Sequence, residues 1–193
     1  MTVPDLAPAA QRMADLVLNV PDALLGEPSP CSDYTLGDLL DHVGGFAIAF
    51  TAAARKVTGE DAAPPGPGDG SQLEDGWRTR IARDVQGMAV AWRDPQAWTG
   101  MTTVGGVDLP ADACGIFGLD ELVVHGWDVA RASRQPFDCD TASLEALMSF
   151  VALDSPSGEL ARSNGIFQAP IATPDASPLL DKVIGLTGRQ PAW

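Results

Sequence analysis

Residues 120–128 read Asp120-Glu121-Leu122-Val123-Val124-His125-Gly126-Trp127-Asp128. Because Glu121 and His125 are one helical turn apart, an α-helix places both side chains on one face. The neighbouring residues are apolar on nearly every side of such a helix, which is typical of a helix in a protein interior. A buried carboxylate and a buried imidazole require a charged partner or a metal ion. The stretch therefore predicts a buried helix that carries a chemically active pair.

Amphipathic patterns predict further helices on both sides of this stretch. Apolar residues recur at helical spacing in several other segments, and proline or glycine follows most of them. Together with the stretch above, the predicted helices cover residues 5–20, 35–50, 71–92, 111–134, 141–151 and 178–186.

Capping patterns indicate where some of these helices begin. Thr35 with Asp38, and Ser71 with Glu74, have the spacing of a capping box, in which each side chain bonds the other residue's backbone amide. Ser177 is predicted to cap the last helix, since the proline that follows it suits a first helical position.

The segments between the helices show little strand pattern. Residues 98–110 fit a small hairpin as well as an irregular loop, and residues 59–70, rich in proline and glycine, predict a flexible connection. Residues 155–175 predict an extended segment because prolines and glycines recur in it. The pattern as a whole predicts an all-α fold, a four-helix bundle with short extra helices at its C-terminal end. We expect residues 1–193 to form a single domain, with 155–193 as an extended appendage.

Composition limits the classes of partner. The chain has 12 basic and 26 acidic residues and a formal net charge of -14, which argues against nucleic acid and anionic membranes as partners. No apolar run approaches the roughly 20 residues that a membrane span requires. The first residues also lack the basic and apolar pattern of a signal peptide, so a cytoplasmic location is expected.

A metal site is the central hypothesis. The chain has only one other histidine, His42, which lies beside the apolar stripe of the predicted helix over 35–50. Two histidines and one glutamate form a known catalytic zinc set with one open position, and iron, nickel, manganese and cobalt also suit these ligands. Asp128 is placed to orient a ligand imidazole. The residues alone leave the alternative open that His125 is a hydrogen-bonded core histidine and Glu121 a solvated or salt-bridged acid.

Two other residues near these motifs invite a functional interpretation. Cys31, one of three cysteines without any CxxC pair, has no basic residue beside it in the sequence to lower its thiol pKa. Arg131 is either a residue that holds an acidic substrate or a solvated surface arginine.

Two segments resemble a known family. Residues 30–45, PCSDYTLGDLLDHVGG, and residues 120–132, DELVVHGWDVARA, resemble the mycothiol-dependent maleylpyruvate isomerase family, which belongs to the DinB/YfiT-like superfamily of metal-binding four-helix bundles. Residues 186–193, LTGRQPAW, resemble the ending of a subgroup of short members. The resemblance implies that His42, Glu121 and His125 are the metal ligands, with zinc as the expected ion.

The resemblance also implies a thiol chemistry. In that chemistry the metal binds the sulfur of a low-molecular-weight thiol such as mycothiol, and the resulting thiolate attacks an electrophilic substrate, as in a transferase or an isomerase. The family's isomerase has a separate C-terminal domain that helps bind the thiol, for which residues 155–193 are too few. A small thiol and an electrophile are therefore the expected partners, with a homodimer as one option. A non-enzymatic metal-binding or stress-related module, and a metal-free helical protein, are the competing functional readings.

Overall fold

The computed structural model describes residues 3–57 and 66–193. Within these ranges the chain folds mainly into helices, joined by three short 3₁₀ turns and one β-hairpin. The α-helices are α1 (Ala7–Leu18), α2 (Leu36–Ala54), α3 (Trp77–Ala91), α4 (Ala111–Ala132), α5 (Thr141–Val151), α6 (Pro156–Ser163) and α7 (Leu179–Leu186), and the strands are β1 (Met101–Val104) and β2 (Val107–Pro110).

The first four helices form a bundle. Each packs against two neighbours, in the order α1–α3–α2–α4 around the bundle. Their inward residues form one apolar core, which includes the fully buried Met13, Leu39, Ile81, Met88 and Leu119. The predicted four-helix bundle is thus confirmed, and the strongly apolar α4 is buried along most of its length. None of the described helices is both long and apolar enough to cross a bilayer.

The start of α2 follows the predicted capping box. The Thr35 hydroxyl accepts a hydrogen bond from the Asp38 amide at 3.2 Å, and the Asp38 carboxylate accepts one from the Thr35 amide at 3.0 Å. These bonds satisfy two of the amides that a helix start leaves without helical partners. They fix the first turn of the helix that carries His42.

Two other predicted helix starts are wrong. The Ser71–Glu74 capping box does not form, because the Asp69 side chain bonds the Ser71 amide in a separate 3₁₀ turn and α3 begins only after Gly76, which has φ +80°. Ser177 does not cap α7: that helix begins one residue later than predicted, after the extended Pro178, without a side-chain cap.

The region after α5 also departs from the prediction. Residues 155–175 are not extended throughout, because Ser155 caps α6 by accepting a bond from the Gly158 amide, and Pro156 occupies the first helical position. Of the two options for residues 98–110, the hairpin forms, with Met101 opposite Pro110 and Val104 opposite Val107.

The connection predicted at 59–70 lies outside the described residues except for 66–70. This part is held against α2, since the Gly70 amide donates to the Asp38 carboxylate at 2.8 Å. A Cβ on Gly70 would lie 3.1 Å from the Gly37 Cα, so a side chain there would crowd α2.

The C-terminal helices lie against the bundle. α5 packs on α4 and α7, α6 packs on α5, and Val183 of α7 belongs to the same apolar cluster as the bundle core. The extent of the domain, 1–193 with 155–193 as an appendage, stays a prediction. The packing does bring the end of the chain close to α4, which carries the predicted site.

Candidate metal centre

Helices α2 and α4 bring the three predicted ligands together. Glu121 and His125 lie one turn apart on α4 and are 8% and 9% exposed, and His42 of α2 is half-buried beside them. Glu121 Oε2 lies 3.4 Å from His42 Nε2 and 3.3 Å from His125 Nε2. One donor atom from each residue lies within 4.8 Å of the other two. The arrangement is therefore a compact set of two imidazoles and one carboxylate.

Glu121 is ionised in this setting. Burial by itself raises the pKa of a carboxyl group, but the neighbouring His125 and His42 outweigh burial here and hold the pKa of Glu121 below its ordinary value. A buried carboxylate thus faces two ring nitrogens.

Asp128, the residue expected to orient a ligand imidazole, contacts the His125 ring, and Arg189 in turn contacts Asp128. Asp128 Oδ2 lies 2.9 Å from His125 Nδ1. The Arg189 guanidinium donates to both Asp128 oxygens: its Nε lies 3.0 Å from Oδ1 and 3.1 Å from Oδ2, and its Nη2 lies 2.9 Å from Oδ2. Burial raises the pKa of Asp128, but Arg189 and His125 together outweigh burial and hold this pKa below its ordinary value. Because an ionised carboxylate only accepts, His125 Nδ1 carries the proton and its Nε2 points toward Glu121.

Nothing in the sequence around Arg189 indicates a role at the site. This residue lies 61 positions after Asp128, so no local spacing relates the two. The available indication was chemical: a fully buried carboxylate such as Asp128 requires a cationic partner. The sequence alone could not say which of the 12 basic residues supplies it.

Aromatic rings enclose the imidazoles. The Tyr34 ring stacks on His42 with centroids 5.3 Å apart, and Phe46 meets the edge of His42 at 5.7 Å and stacks on His125 at 6.4 Å. Phe46 is buried and Tyr34 half-buried. These walls restrict access of water to the polar cluster, which strengthens electrostatic interactions inside it.

Cys31 lies closer to charged groups than its sequence neighbours indicate. Its sulfur forms a second compact group of possible metal donors with His125 and Asp128. Burial raises the pKa of the Cys31 thiol, while the nearby Arg189 acts in the opposite direction without cancelling the rise. The fold thus supplies the basic neighbours that the sequence around Cys31 lacks.

Two further polar residues of α4 differ in setting. Asp120 is buried, and burial raises its pKa well above the ordinary value; among the described residues, its Oδ1 has no hydrogen-bond partner. Arg131 is exposed, and its guanidinium lies 5.3 Å from the centre of the Trp127 ring. Arg131 lines a groove of about 430 Å³ that contains none of the three predicted ligands. This position favours its interpretation as a surface arginine.

Comparisons with known proteins agree with this fold. Two uncharacterized proteins, from two strains of Mycobacterium tuberculosis, are each 28% identical to the chain over 160 residues, which cover 77% of this chain and 76% of theirs. The crystal structures of the mycothiol-dependent maleylpyruvate isomerase and of a mutant of it have a TM-score of 0.57 and 24% identity to the chain, covering 78% of this chain and 72% of that one. This structural likeness concerns the fold.

The family comparison covers nearly all of the bundle. The model of the family described as the mycothiol maleylpyruvate isomerase N-terminal domain matches residues 6–130, which include α1 to α3, the hairpin and all but the last two residues of α4. His42, Glu121, His125 and Asp128 lie inside the match, whereas Arg189 lies outside it. The chain belongs to the mycothiol maleylpyruvate isomerase N-terminal domain family.

Proposed function

We propose that this protein is a thiol-dependent enzyme, an isomerase or a transferase, in which His42, Glu121 and His125 bind a divalent metal ion. Zinc is the expected ion, and mycothiol is the expected thiol because the family and the solved relative are named for it. The observation that carries the proposal is the approach of two imidazole Nε2 atoms to the same oxygen of Glu121.

The donor separations favour a bound cation over direct ion pairs. Charge-assisted hydrogen bonds between nitrogen and a carboxylate are about 2.7–2.9 Å long, whereas Glu121 Oε2 lies 3.3 and 3.4 Å from the two histidines. Two ligand atoms at zinc bonding distance and a tetrahedral angle are about 3.3–3.5 Å apart. The observed separations match the second value.

The orientation of His125 supports the same conclusion. Since Asp128 lies against Nδ1, Nε2 is the ring nitrogen that faces the carboxylate of Glu121. A proton or a cation between Nε2 and the carboxylate oxygen makes so close an approach of the two atoms favourable. A divalent cation can take that place, and its binding would release any proton that Nε2 carries.

Each residue of the site has a distinct role in the proposed chemistry. A bound zinc ion would lower the pKa of a coordinated thiol and so supply a thiolate at neutral pH. Glu121 provides an anionic ligand, and Asp128 holds the His125 ring in the orientation that exposes Nε2. The rings of Tyr34 and Phe46 limit the access of water to the reacting sulfur.

The test combines metal content with thiol turnover. We expect elemental analysis of the purified protein to find a single divalent ion per chain, and His125→Ala to lose it. With maleylpyruvate and mycothiol, or mycothiol and a reactive alkylating electrophile, the zinc-loaded protein should convert one of the two substrates and His125→Ala should not. A protein that folds but carries no metal, or one whose His125→Ala variant keeps full occupancy, would contradict the proposed site.

The same assays separate the enzyme from a non-enzymatic metal-binding module. The observation that favours the module is that the family match ends at residue 130, so that α5 to α7 lie outside the matched domain. Full metal occupancy without turnover of any thiol and electrophile pair would support the module and contradict the enzyme.

A further inference from the structure

Arg189 joins the end of the chain to the centre of the site. Arg189 comes directly after Gly188, shortly beyond the end of α7 at Leu186. Its side chain is only 10% exposed. Its guanidinium contacts both oxygens of Asp128, which is fully buried and bonds His125 Nδ1. A residue from outside the matched family domain therefore fixes the partner of a predicted ligand.

The His125 ring lies between two groups of possible donors. Glu121 approaches its Nε2 and also contacts His42, which forms the first group. Cys31 and Asp128 form the second group with the same ring, in which Asp128 bonds Nδ1. A thiolate with an imidazole and a carboxylate is a plausible set for zinc or cobalt by ligand type. The two groups share one histidine, so the tautomer of that ring, which leaves a lone pair on either Nε2 or Nδ1, selects between them.

Arg189 makes the second group unsuitable for a cation. Its guanidinium places a positive charge against Asp128 and occupies the carboxylate lone pairs that a metal would use. A divalent ion beside this guanidinium would meet like-charge repulsion in a buried setting, where screening is weak. The same contacts hold Asp128 Oδ2 at 2.9 Å from His125 Nδ1, as the acceptor for the Nδ1 proton.

We propose that Arg189 is a positioning residue that, through Asp128, directs metal binding to the Nε2 side of His125 and keeps a cation out of the Cys31–His125–Asp128 group. The part of this inference that concerns where the metal binds rests on the proposed function. The tautomer of the His125 ring is a property of the metal-free protein, so this part of the inference is independent of the proposed function.

The first experiment measures the tautomer of His125 without metal. Nitrogen-15 NMR of metal-free protein, above the pH range in which histidines ordinarily titrate, distinguishes the two ring tautomers. The chain has only two histidines, so spectra of His42→Gln assign the signals. We expect His125 to carry a slowly exchanging Nδ1 proton in the wild type, and that proton to exchange rapidly in Arg189→Met. Arg189→Lys, which keeps the charge but not the two-nitrogen contact, should restore part of the protection.

The second experiment uses Co²⁺ as the probe metal. The wild type should show no sulfur-to-cobalt charge-transfer absorption, whereas Arg189→Met should show one that disappears in the Arg189→Met/Cys31→Ser double variant. The zinc dissociation constant of Arg189→Met should be about 10- to 100-fold higher than that of the wild type, the usual cost of losing a group that orients a ligand. Arg131→Met, which removes the same charge from an exposed position, should behave like the wild type in every measurement.

The outcomes separate this inference from the proposed function. Unchanged Nδ1 protection in Arg189→Met, or a Cys31-dependent cobalt band already present in the wild type, would overturn the role of Arg189. A wild type that binds neither zinc nor cobalt would overturn the metal site, while the Nδ1 exchange rates would still decide whether Arg189 positions His125. If Arg189→Met does not fold, the same comparison is made with Arg189→Lys. Wild-type protection of the His125 Nδ1 proton together with wild-type zinc affinity in Arg189→Lys would show that the two-nitrogen contact is not needed.

Discussion

Glu121 Oε2 lies 3.4 Å from His42 Nε2, although the two residues are 79 positions apart in the chain. The contact joins α4 to α2 where α4 buries several polar side chains, among them Glu121 and His125. Since Glu121 also faces His125 at 3.3 Å, this carboxylate is the central residue of the cluster. Its removal gives the most direct test of what the cluster binds.

Glu121→Gln keeps the size of the side chain but removes its charge and one acceptor oxygen. We expect zinc affinity to fall by more than about 100-fold, because loss of a group that only orients a ligand already costs about 10- to 100-fold. Isothermal titration with a competing chelator measures the change. Asp112→Asn removes a charge from an exposed position on the same helix and should leave the affinity unchanged. Equal affinities for Glu121→Gln and the wild type would exclude Glu121 as a ligand.

Metal removal should lower thermal stability. A ligand that binds only the folded state at about 100 times its dissociation constant contributes about 2.7 kcal/mol, and each kcal/mol changes the Tm of a chain of this size by about 2–4 °C. We therefore expect a chelator to lower the Tm of the zinc-loaded protein by about 5–11 °C, measured by calorimetry. His125→Ala should be insensitive to the chelator. A chelator effect of the same size in this variant would mean that the ion binds elsewhere.

The capping box of α2 gives a prediction of pH dependence. The Gly70 amide, followed by the Thr35 hydroxyl, lowers the pKa of Asp38. A carboxyl group whose native pKa is lowered stabilises the fold above the unfolded-state pKa of about 3.9, and this contribution disappears as the pH falls through the native pKa. Asp38→Asn should thus cost about 1 kcal/mol near neutral pH, and the cost should vanish near pH 2.

Urea unfolding at several pH values checks this dependence on Asp38. The matched control is Asp75→Asn, which removes a charge from an exposed turn residue and should change the free energy of unfolding little at any pH. A cost for Asp38→Asn that stays constant from neutral to acid pH would show that the ionised carboxylate is not the stabilising form.

The parts of the fold that the sequence predicts are those with local causes. The apolar residues around Glu121 predict a buried α4, and the spacing of Thr35 and Asp38 predicts the start of α2. Pro156 and Gly158 misled the prediction for α6, because both residues usually break a helix, whereas here the proline stands at the first position and Ser155 caps it. Whether such a proline or glycine breaks or begins a helix depends on its position in the helix, and the sequence alone did not reveal that position here.

In the candidate site, too, local spacing is visible in the sequence and long-range packing is not. Glu121, His125 and Asp128 can be related by helical spacing, and His42 is the only other histidine in the chain. Arg189 and Cys31 reach the cluster only through the packing of α7 and of the loop before α2, so neither has a sequence neighbour that indicates its role. Long-range contacts of this kind become visible only once the bundle is assembled.

Two helical glycines allow a last test, on the helix that carries the site. A Cβ added at Gly115 of α4 would lie 2.7 Å from Cη2 of Trp98, whose ring is fixed because its Nε1 donates to the Trp92 carbonyl at 2.7 Å. Gly87 of α3 has no atom within 4 Å of the same added carbon. Gly115→Ala should therefore destabilise the protein by about 1–3 kcal/mol through overpacking, whereas Gly87→Ala should stabilise it by about 0.5–1 kcal/mol because alanine favours a helix. Urea unfolding measures both changes. A stabilising Gly115→Ala would show that the Trp98 ring moves aside and that the contact between Gly115 and Trp98 does not set the position of α4.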